Sequence, residues 1–204
     1  SGYQQTVICL NNVVDEGIRE KLINSGIDVR VVGKFALCTG IGFIFLWFWL
    51  RHRRFDVSVT LLFFSDVLGL PLSYVAGISR RISSVRARNA NYSAWQNWAV
   101  QRALMLADRV VSNSVTLEKY IVEDLGVARD KIFFIRNPLD LEELSDLTSD
   151  EEFRRAFNLP SDALVIGASG RLDYQKGFDV LIEAFSFLED SSNHLVVFGE
   201  GKEK

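Results

Sequence analysis

Eight short β-rich runs, separated by helical or loop stretches, set the tightest limit on how this chain can fold. They are TVICL (6–10), DVRVV (28–32), DVSVTLL (56–62), RISSV (81–85), RVVS (109–112), KIFFI (131–135), LVIGA (164–168) and LVVF (195–198). Four of them, TVICL, KIFFI, LVIGA and LVVF, are apolar almost throughout rather than alternating, the pattern of strands covered on both faces. The intervening stretches include EGIREKLINSG, closed by Gly26, and VTLEKYIVEDLG, closed by Gly126 and placed for capping by Ser114. Ser149 and Glu152 have the spacing of a capping box ahead of FRRAFNL. Strand–helix alternation of this kind predicts an α/β protein with parallel sheets and helices on both faces.

One segment interrupts the rhythm. Residues 136–153, RNPLDLEELSDLTSDEEF, bring Pro138 and an acidic, polar run, after which the alternation restarts. Asn137-Pro138 favours an extended or turn conformation that ends the preceding strand. The expected boundary is near residue 140, giving domains 1–140 and 141–204. The second is too short for a complete doubly wound sheet. The chain opens with Ser1 directly before a strand and ends in GEGKEK directly after one, so both ends read as cuts through a longer protein.

With 48% hydrophobic and 24% charged residues over 204 positions, the composition is globular rather than disordered. Cys9 and Cys38 lie in apolar runs and read as reduced core residues, and His52 and His194 stand apart, so no cluster has metal-ligand spacing. The formal charge of −3 hides a strong asymmetry. Residues 29–107 hold ten Lys/Arg against Asp56 and Asp66 alone, while the remainder holds 13 basic and 24 acidic residues. A basic face of that kind suits phosphates or an anionic membrane surface. Nucleic acid is not expected, because no binding motif accompanies the charge.

The turn GRLDYQKG places Arg171 and Lys176 between Gly170 and Gly177, after one strand and before the helix FDVLIEAFSFL. Ligands of open parallel sheets bind beyond the carboxyl ends of the strands. A helix N-terminus there favours an anion, an arginine offers a forked pair of donors, and a lysine offers a point charge. Phe178, Leu181, Ile182, Phe185 and Leu188 would seat the helix on the sheet. A diphosphate meets these requirements; a solvated loop with ordinary surface charges is the alternative reading of the same spacing.

SGRLDYQKGFDVLIEAF followed by HLVVFGEG, together with LADRVVSNSVTLEKYIVEDLGVARDKIFFIRNPLD, resembles the family 4 glycosyltransferases. The likeness runs from Leu106 to Gly201 and continues more weakly over residues 6–105, including RRFDVSVTLLFFSDVLG. It implies a GT-B fold of two Rossmann-like parallel-sheet domains, the second truncated here. It further implies a retaining transfer of sugar from a nucleotide-sugar donor to a polysaccharide, lipopolysaccharide or glycolipid acceptor. By the same likeness Arg171 and Lys176, with Gly170 and Gly177, bind the donor diphosphate, and Gly199, Glu200 and Gly201 form the loop beside the nucleotide. No metal or other cofactor is expected, since the two cations can stabilise the leaving diphosphate. A cytoplasmic location, peripheral to a membrane, goes with this reading.

The chain also departs from the family's pattern. Val59, Leu61 and Phe64 stand where many members carry histidines, and Arg86 replaces a histidine on the next strand. No general base is therefore assigned, and the family's acidic pair would lie beyond Lys204, its first strand and glycine-rich loop before Ser1. The fragment alone is expected to be inactive.

Arg86, Asn89, Asn91, Tyr92 and Trp95 are candidate cleft or acceptor contacts, although Trp95 and Trp98, a helical turn apart, could equally pack on the sheet. IGFIFLWFWLRHRR (41–54) is apolar all round and then abruptly basic. It reads as a buried covering helix or as a membrane-docking one with Trp47 and Trp49 at headgroup level; it is short for a span. Two other classes compete with the enzyme: a non-catalytic partner or sugar-binding remnant of the same fold, and a dehydrogenase-like Rossmann protein. The latter lacks an early G-x-G-x-x-G.

Overall fold

The structure, a computed structural model, describes residues 2–11, 14–33, 40–88, 92–139, 149–188 and 192–202. All eight strand runs form strands, and every pairing between them is parallel. The chain divides into two compact units, Ser1–Pro138 and Leu139–Lys204.

In the first unit β1 (Thr6–Cys9) pairs with β2 (Asp28–Val31), joined by α1 (Glu16–Asn24). Asp15 caps α1 by accepting from the Ile18 N–H at 2.9 Å. A second sheet has the order β3 (Val57–Leu61), β4 (Arg80–Val85), β5 (Arg109–Ser112), β6 (Ile132–Phe134). Helix α2 (Ile41–Arg53) precedes β3; a π-wound turn (Ser65–Gly69) runs into α3 (Leu70–Val75) before β4; and α4 (Ala94–Leu104) joins β4 to β5. The core gathers Leu70, Val85, Val100, Leu104, Val110 and Ile121 between these helices and the sheet. At the amino ends of the strands Arg81 is tied to Asp108 at 2.9 Å and to the carbonyls of Leu106 and Ile78. Each nitrogen of the largely buried guanidinium thus donates one hydrogen bond. Among the described residues β1 and β3 each leave one edge unpaired, and both edges line a cavity of about 150 Å³ in which the hydroxyl of Ser58 is buried without a partner.

The second unit holds α5 (Asp150–Ala156), β7 (Val165–Ser169), α6 (Phe178–Ser186) and β8 (His194–Phe198), with β7 and β8 forming a separate sheet. The Ser149–Glu152 capping box is present, each bond at 3.3 Å. Phe153 of α5 and Phe157, just past its end, pack on Phe198.

Three local expectations change. VTLEKYIVEDLG is not a plain α-helix: it starts as a 3-10 turn (Val115–Leu117) and ends π-wound (Tyr120–Asp124). The wide turn brings Tyr120 and Leu125, five residues apart, to one buried face and lets the Leu125 N–H reach the Tyr120 carbonyl at 3.1 Å. Ser114 does not cap it, because its hydroxyl pairs with Thr116 at 2.7 Å. On α6 only part of the expected apolar face is covered: Phe178, Leu181 and Phe185 are half-buried, whereas Ile182, and Leu188 just past the helix, are exposed. Cys9 is free, as read, but half-buried rather than in the core; Cys38 lies outside the described residues.

Candidate functional site

Parallel pairing of Ser169 with Phe198 sets the carboxyl ends of β7 and β8 side by side. The two segments that leave those ends lie against one another. The Gly170 N–H donates to the Phe198 carbonyl at 2.9 Å, the Leu172 N–H to the Glu200 carbonyl at 3.0 Å, and Leu172 bridges to Gly201. A Cβ on Gly199 would collide with the Gly170 carbonyl, and one on Gly201 with the Leu172 carbonyl. The G-x-G spacing is thus needed for this close approach, whatever it also does for a ligand. The geometry brings Gly170, Arg171, Gly199, Glu200 and Gly201 together from residues far apart in sequence.

The other half of the turn is built by Asp173, whose carboxylate accepts from the Gln175 N–H at 3.2 Å, and by a 3-10 turn over Tyr174–Lys176. Gly177 then takes φ of +64°, a left-handed conformation that most side chains resist, and starts α6 with no side-chain cap. The first-turn N–H groups of α6 carry the partial positive charge of a helix N-terminus. Phe178 and the stem of Lys176 pack over Gly170, which holds the lysine back across the turn. Arg171 and Lys176 are both exposed, and among the described residues neither is in an ion pair. The two cations share the turn with the carboxylates of Asp173, Glu200 and Asp179, the last in the first turn of α6; the helix N-terminus and the arginine are the groups here that favour an anion.

The first-unit candidates lie at the carboxyl ends of their own sheet. Arg86, just past β4, donates to the Asn137 side chain at 2.9 Å and to the Ser84 hydroxyl at 3.3 Å. Tyr92 is half-buried with its ring against Phe63, and burial raises its phenol pKa, helped by Tyr120 and Asp66. Trp95 meets Phe63 edge-on yet is 62% exposed, and Trp98 is similarly open beneath Arg102, so neither is packed into the core. Asn89 and Asn91 lie outside the described residues. An apolar cavity of about 770 Å³, lined by Leu10, Phe43, Leu61, Phe63, Leu68 and Tyr92 among others, opens at the ends of β1 and β3. No group of three or more His, Cys, Asp or Glu suited to a metal occurs among the described residues.

Sequence reasoning passed over Asp66. It is buried, and one carboxylate oxygen accepts from Thr60 at 2.6 Å and from Ser83 at 2.8 Å, joining β3, β4 and the π-wound turn. Burial raises its pKa, with the two hydroxyls opposing. The available signal was an acid in the otherwise apolar TLLFFSDVLGLPL.

The sequence profile of Glycosyltransferase Family 4 matches residues 1–143, and that of Glycosyl transferases group 1 matches residues 149–204. The chain belongs to Glycosyltransferase Family 4. No curated protein sequence matches it significantly. Solved structures similar to this family member include Anabaena Alr3699/HepE in complex with UDP (TM-score 0.78, 13% identity, 98% of this chain and 62% of that one). The same protein in complex with UDP-glucose matches with TM-score 0.75 and 16% identity over 92% of this chain and 51% of that one. A glycosyltransferase from Rickettsia africae ESF-5 matches with TM-score 0.68 and 15% identity over 98% and 61%. At these identities the likeness establishes the fold, which is GT-B. The chain spans between about half and three fifths of these structures' length.

Proposed function

We propose that this family 4 chain is the greater part of a retaining glycosyltransferase that moves a sugar from a nucleoside-diphosphate sugar to a glycan, lipopolysaccharide or glycolipid acceptor. The observation that carries the reading is the pair of exposed cations, Arg171 and Lys176, without an ion pair among the described residues, bracketing the turn between β7 and the N-terminus of α6. Arg171 forks onto diphosphate oxygens, Lys176 adds a point charge, and the α6 N–H groups complete the cradle. The loop Gly199–Gly201, held against Gly170 and Leu172, lies beside the nucleotide. UDP is the nucleotide held by the Anabaena neighbour and is the first candidate to try.

As the bond between the anomeric carbon and the diphosphate breaks, charge grows on the leaving phosphate oxygens. Cations fixed there gain interaction energy in the transition state and so lower the barrier. In this reading no metal is required, because the two side chains supply the charge. Arg86, Tyr92 and Trp95 are proposed acceptor contacts of the first unit. Turnover is proposed for a chain of its neighbours' full length, acting on the cytoplasmic side of a membrane; the fragment alone is expected to be inactive.

The test is Lys176→Ala in a chain of that length, followed by initial rates of sugar transfer and by UDP binding in a calorimeter. The loss of one fixed charge at the leaving group is expected to cost roughly 100-fold or more in turnover. The melting temperature should not change, because the side chain is exposed. Transfer at the parent's rate would remove Lys176 from the site.

A further inference from the structure

Two bonds hold the end of the first unit to its sheet. The first continues the ladder: the Ile135 N–H, just past β6, donates to the Ser112 carbonyl of β5 at 2.9 Å. The second is made by a side chain from 51 positions away. Arg86, just past β4, donates from Nη1 to the Asn137 side-chain oxygen at 2.9 Å. It also donates from Nε to the hydroxyl of Ser84, a buried residue of β4, at 3.3 Å. The next residue is Pro138, with which the first unit ends. Among the described residues, Asn137 is the last of that unit to make a hydrogen bond.

The arrangement is suited to fixing a direction. A guanidinium is a flat fork, and two bonds from adjacent nitrogens fix its plane, whereas an ammonium would pivot about a single point. Here one acceptor belongs to the sheet and the other to the linker. Asn137 is restricted in turn, because a following proline keeps its backbone extended and the proline ring fixes its own φ. Between Ile135 and Pro138 only Arg136 is exposed with neither hydrogen bond nor ion pair among the described residues. Ser84 and Asn137 are uncharged, so holding them does not cancel the charge of Arg86. Its Nη2 makes no hydrogen bond among the described residues and stays open for the acceptor contact proposed above.

We propose that Arg86 is a positioning residue. Through Asn137 it fixes the direction in which the chain leaves the first unit, and so the presentation of the donor turn to the acceptor side. Arg171 and Lys176 belong to the second unit, whereas Tyr92 and Trp95 belong to the first. Transfer between groups so divided needs the reacting atoms held within about 3–3.5 Å. A linker loose at Asn137 would spread them over many arrangements that do not react. The consequence for turnover rests on the sugar-transfer reading; the hold on the linker does not.

The deciding variant is Asn137→Ala in a chain of its neighbours' full length, because Asn137 is in none of the proposed contacts with donor or acceptor. Its kcat is expected to fall roughly 10- to 100-fold, the scale of a misplacement remote from the chemistry. The acceptor KM, the calorimetric affinity for UDP and the melting temperature should not change. Arg86→Gln should lower kcat at least as much, and the double variant no further than Arg86→Gln alone, since both substitutions remove one bond. Asn137→Asp keeps an oxygen facing the guanidinium and should stay within about twofold of the parent. Transfer by Asn137→Ala at the parent's rate overturns the proposal, as do additive losses in the double variant. Small-angle X-ray scattering of the same chains gives a readout that needs no turnover. Asn137→Ala and Arg86→Gln should broaden the distribution of interatomic distances, while Asn137→Asp and Lys176→Ala should scatter as the parent does. Unchanged scattering by both Asn137→Ala and Arg86→Gln overturns the hold on the linker, whether or not sugar is transferred. Broadening in a chain whose parent transfers no sugar upholds it and removes the sugar-transfer reading alone.

Discussion

The carboxyl ends of β3 and β4 and the carboxyl ends of β7 and β8 occupy equivalent places in two parallel sheets, yet their charged groups behave oppositely. In the first unit, Asp66 is buried and bonded to Thr60 and Ser83, and Arg86 is bonded to Asn137 and Ser84. In the second, Arg171 and Lys176 are exposed and unpaired among the described residues, while the backbone around them is fixed by inter-segment bonds. A polar group whose partners are all within the protein contributes to stability. One held by a rigid backbone but left without a partner is available to a ligand. The contrast ties Asp66 to the upkeep of the fold and leaves Arg171 and Lys176 open, in keeping with the diphosphate contact proposed for them.

The most severe way to break that contrast is to remove both cations. Arg171→Ala with Lys176→Ala is expected to lower transfer by roughly 1,000-fold or more in a chain of full family length, with thermal melting unchanged. A large drop in melting temperature would show that these residues serve the fold after all. Next in size is Asp66→Ala, which leaves two hydroxyls without their acceptor in a buried site. It should cost about 2–3 kcal/mol in urea unfolding, with little change in UDP binding. An effect on nucleotide affinity larger than on stability would move Asp66 to the ligand's side of the comparison.

A subtler test uses pH. The raised Asp66 pKa means that the folded chain holds this proton more tightly than the unfolded chain. Its contribution to stability is therefore fully present below the ordinary value of 3.8 and is lost as pH rises through the folded value. Asp66→Asn keeps an acceptor for the hydroxyls and cannot titrate. The difference in unfolding free energy between parent and variant should shift in favour of Asp66→Asn as pH climbs above 3.8; a pH-independent difference would contradict burial as the dominant influence. The smallest effect is expected at Arg86→Gln, an exposed hydrogen-bonded site, at under about 1 kcal/mol of stability.

Much of this was legible beforehand because the deciding forces are local. Apolar runs of strand length fixed all eight strands, and Ser149 with Glu152 marked the start of α5 through groups three residues apart. The G-x-G and the Arg171/Lys176 turn stood out for the same reason. Less legible was the winding of 115–124, where burying Tyr120 and Leu125 together outweighs regular helical spacing.

What the sequence determined by itself, then, is the order of elements, their parallel α/β character and the candidate diphosphate turn. These follow from periodicity, capping and residue chemistry, all short-range along the chain. Only the tertiary structure decided which charges are already spent. Asp66 meets Thr60 and Ser83 across two strands, Arg86 meets Asn137 from 51 positions away, and Gly199 and Gly201 press on Gly170 and Leu172. It also decided that Trp47 and Trp49 face the core while Ile41, Ile44, Phe45 and Phe48 face out. A helix apolar on every side carries no preference of its own for which face to bury; the surface of the sheet and of α3 beneath it makes that choice.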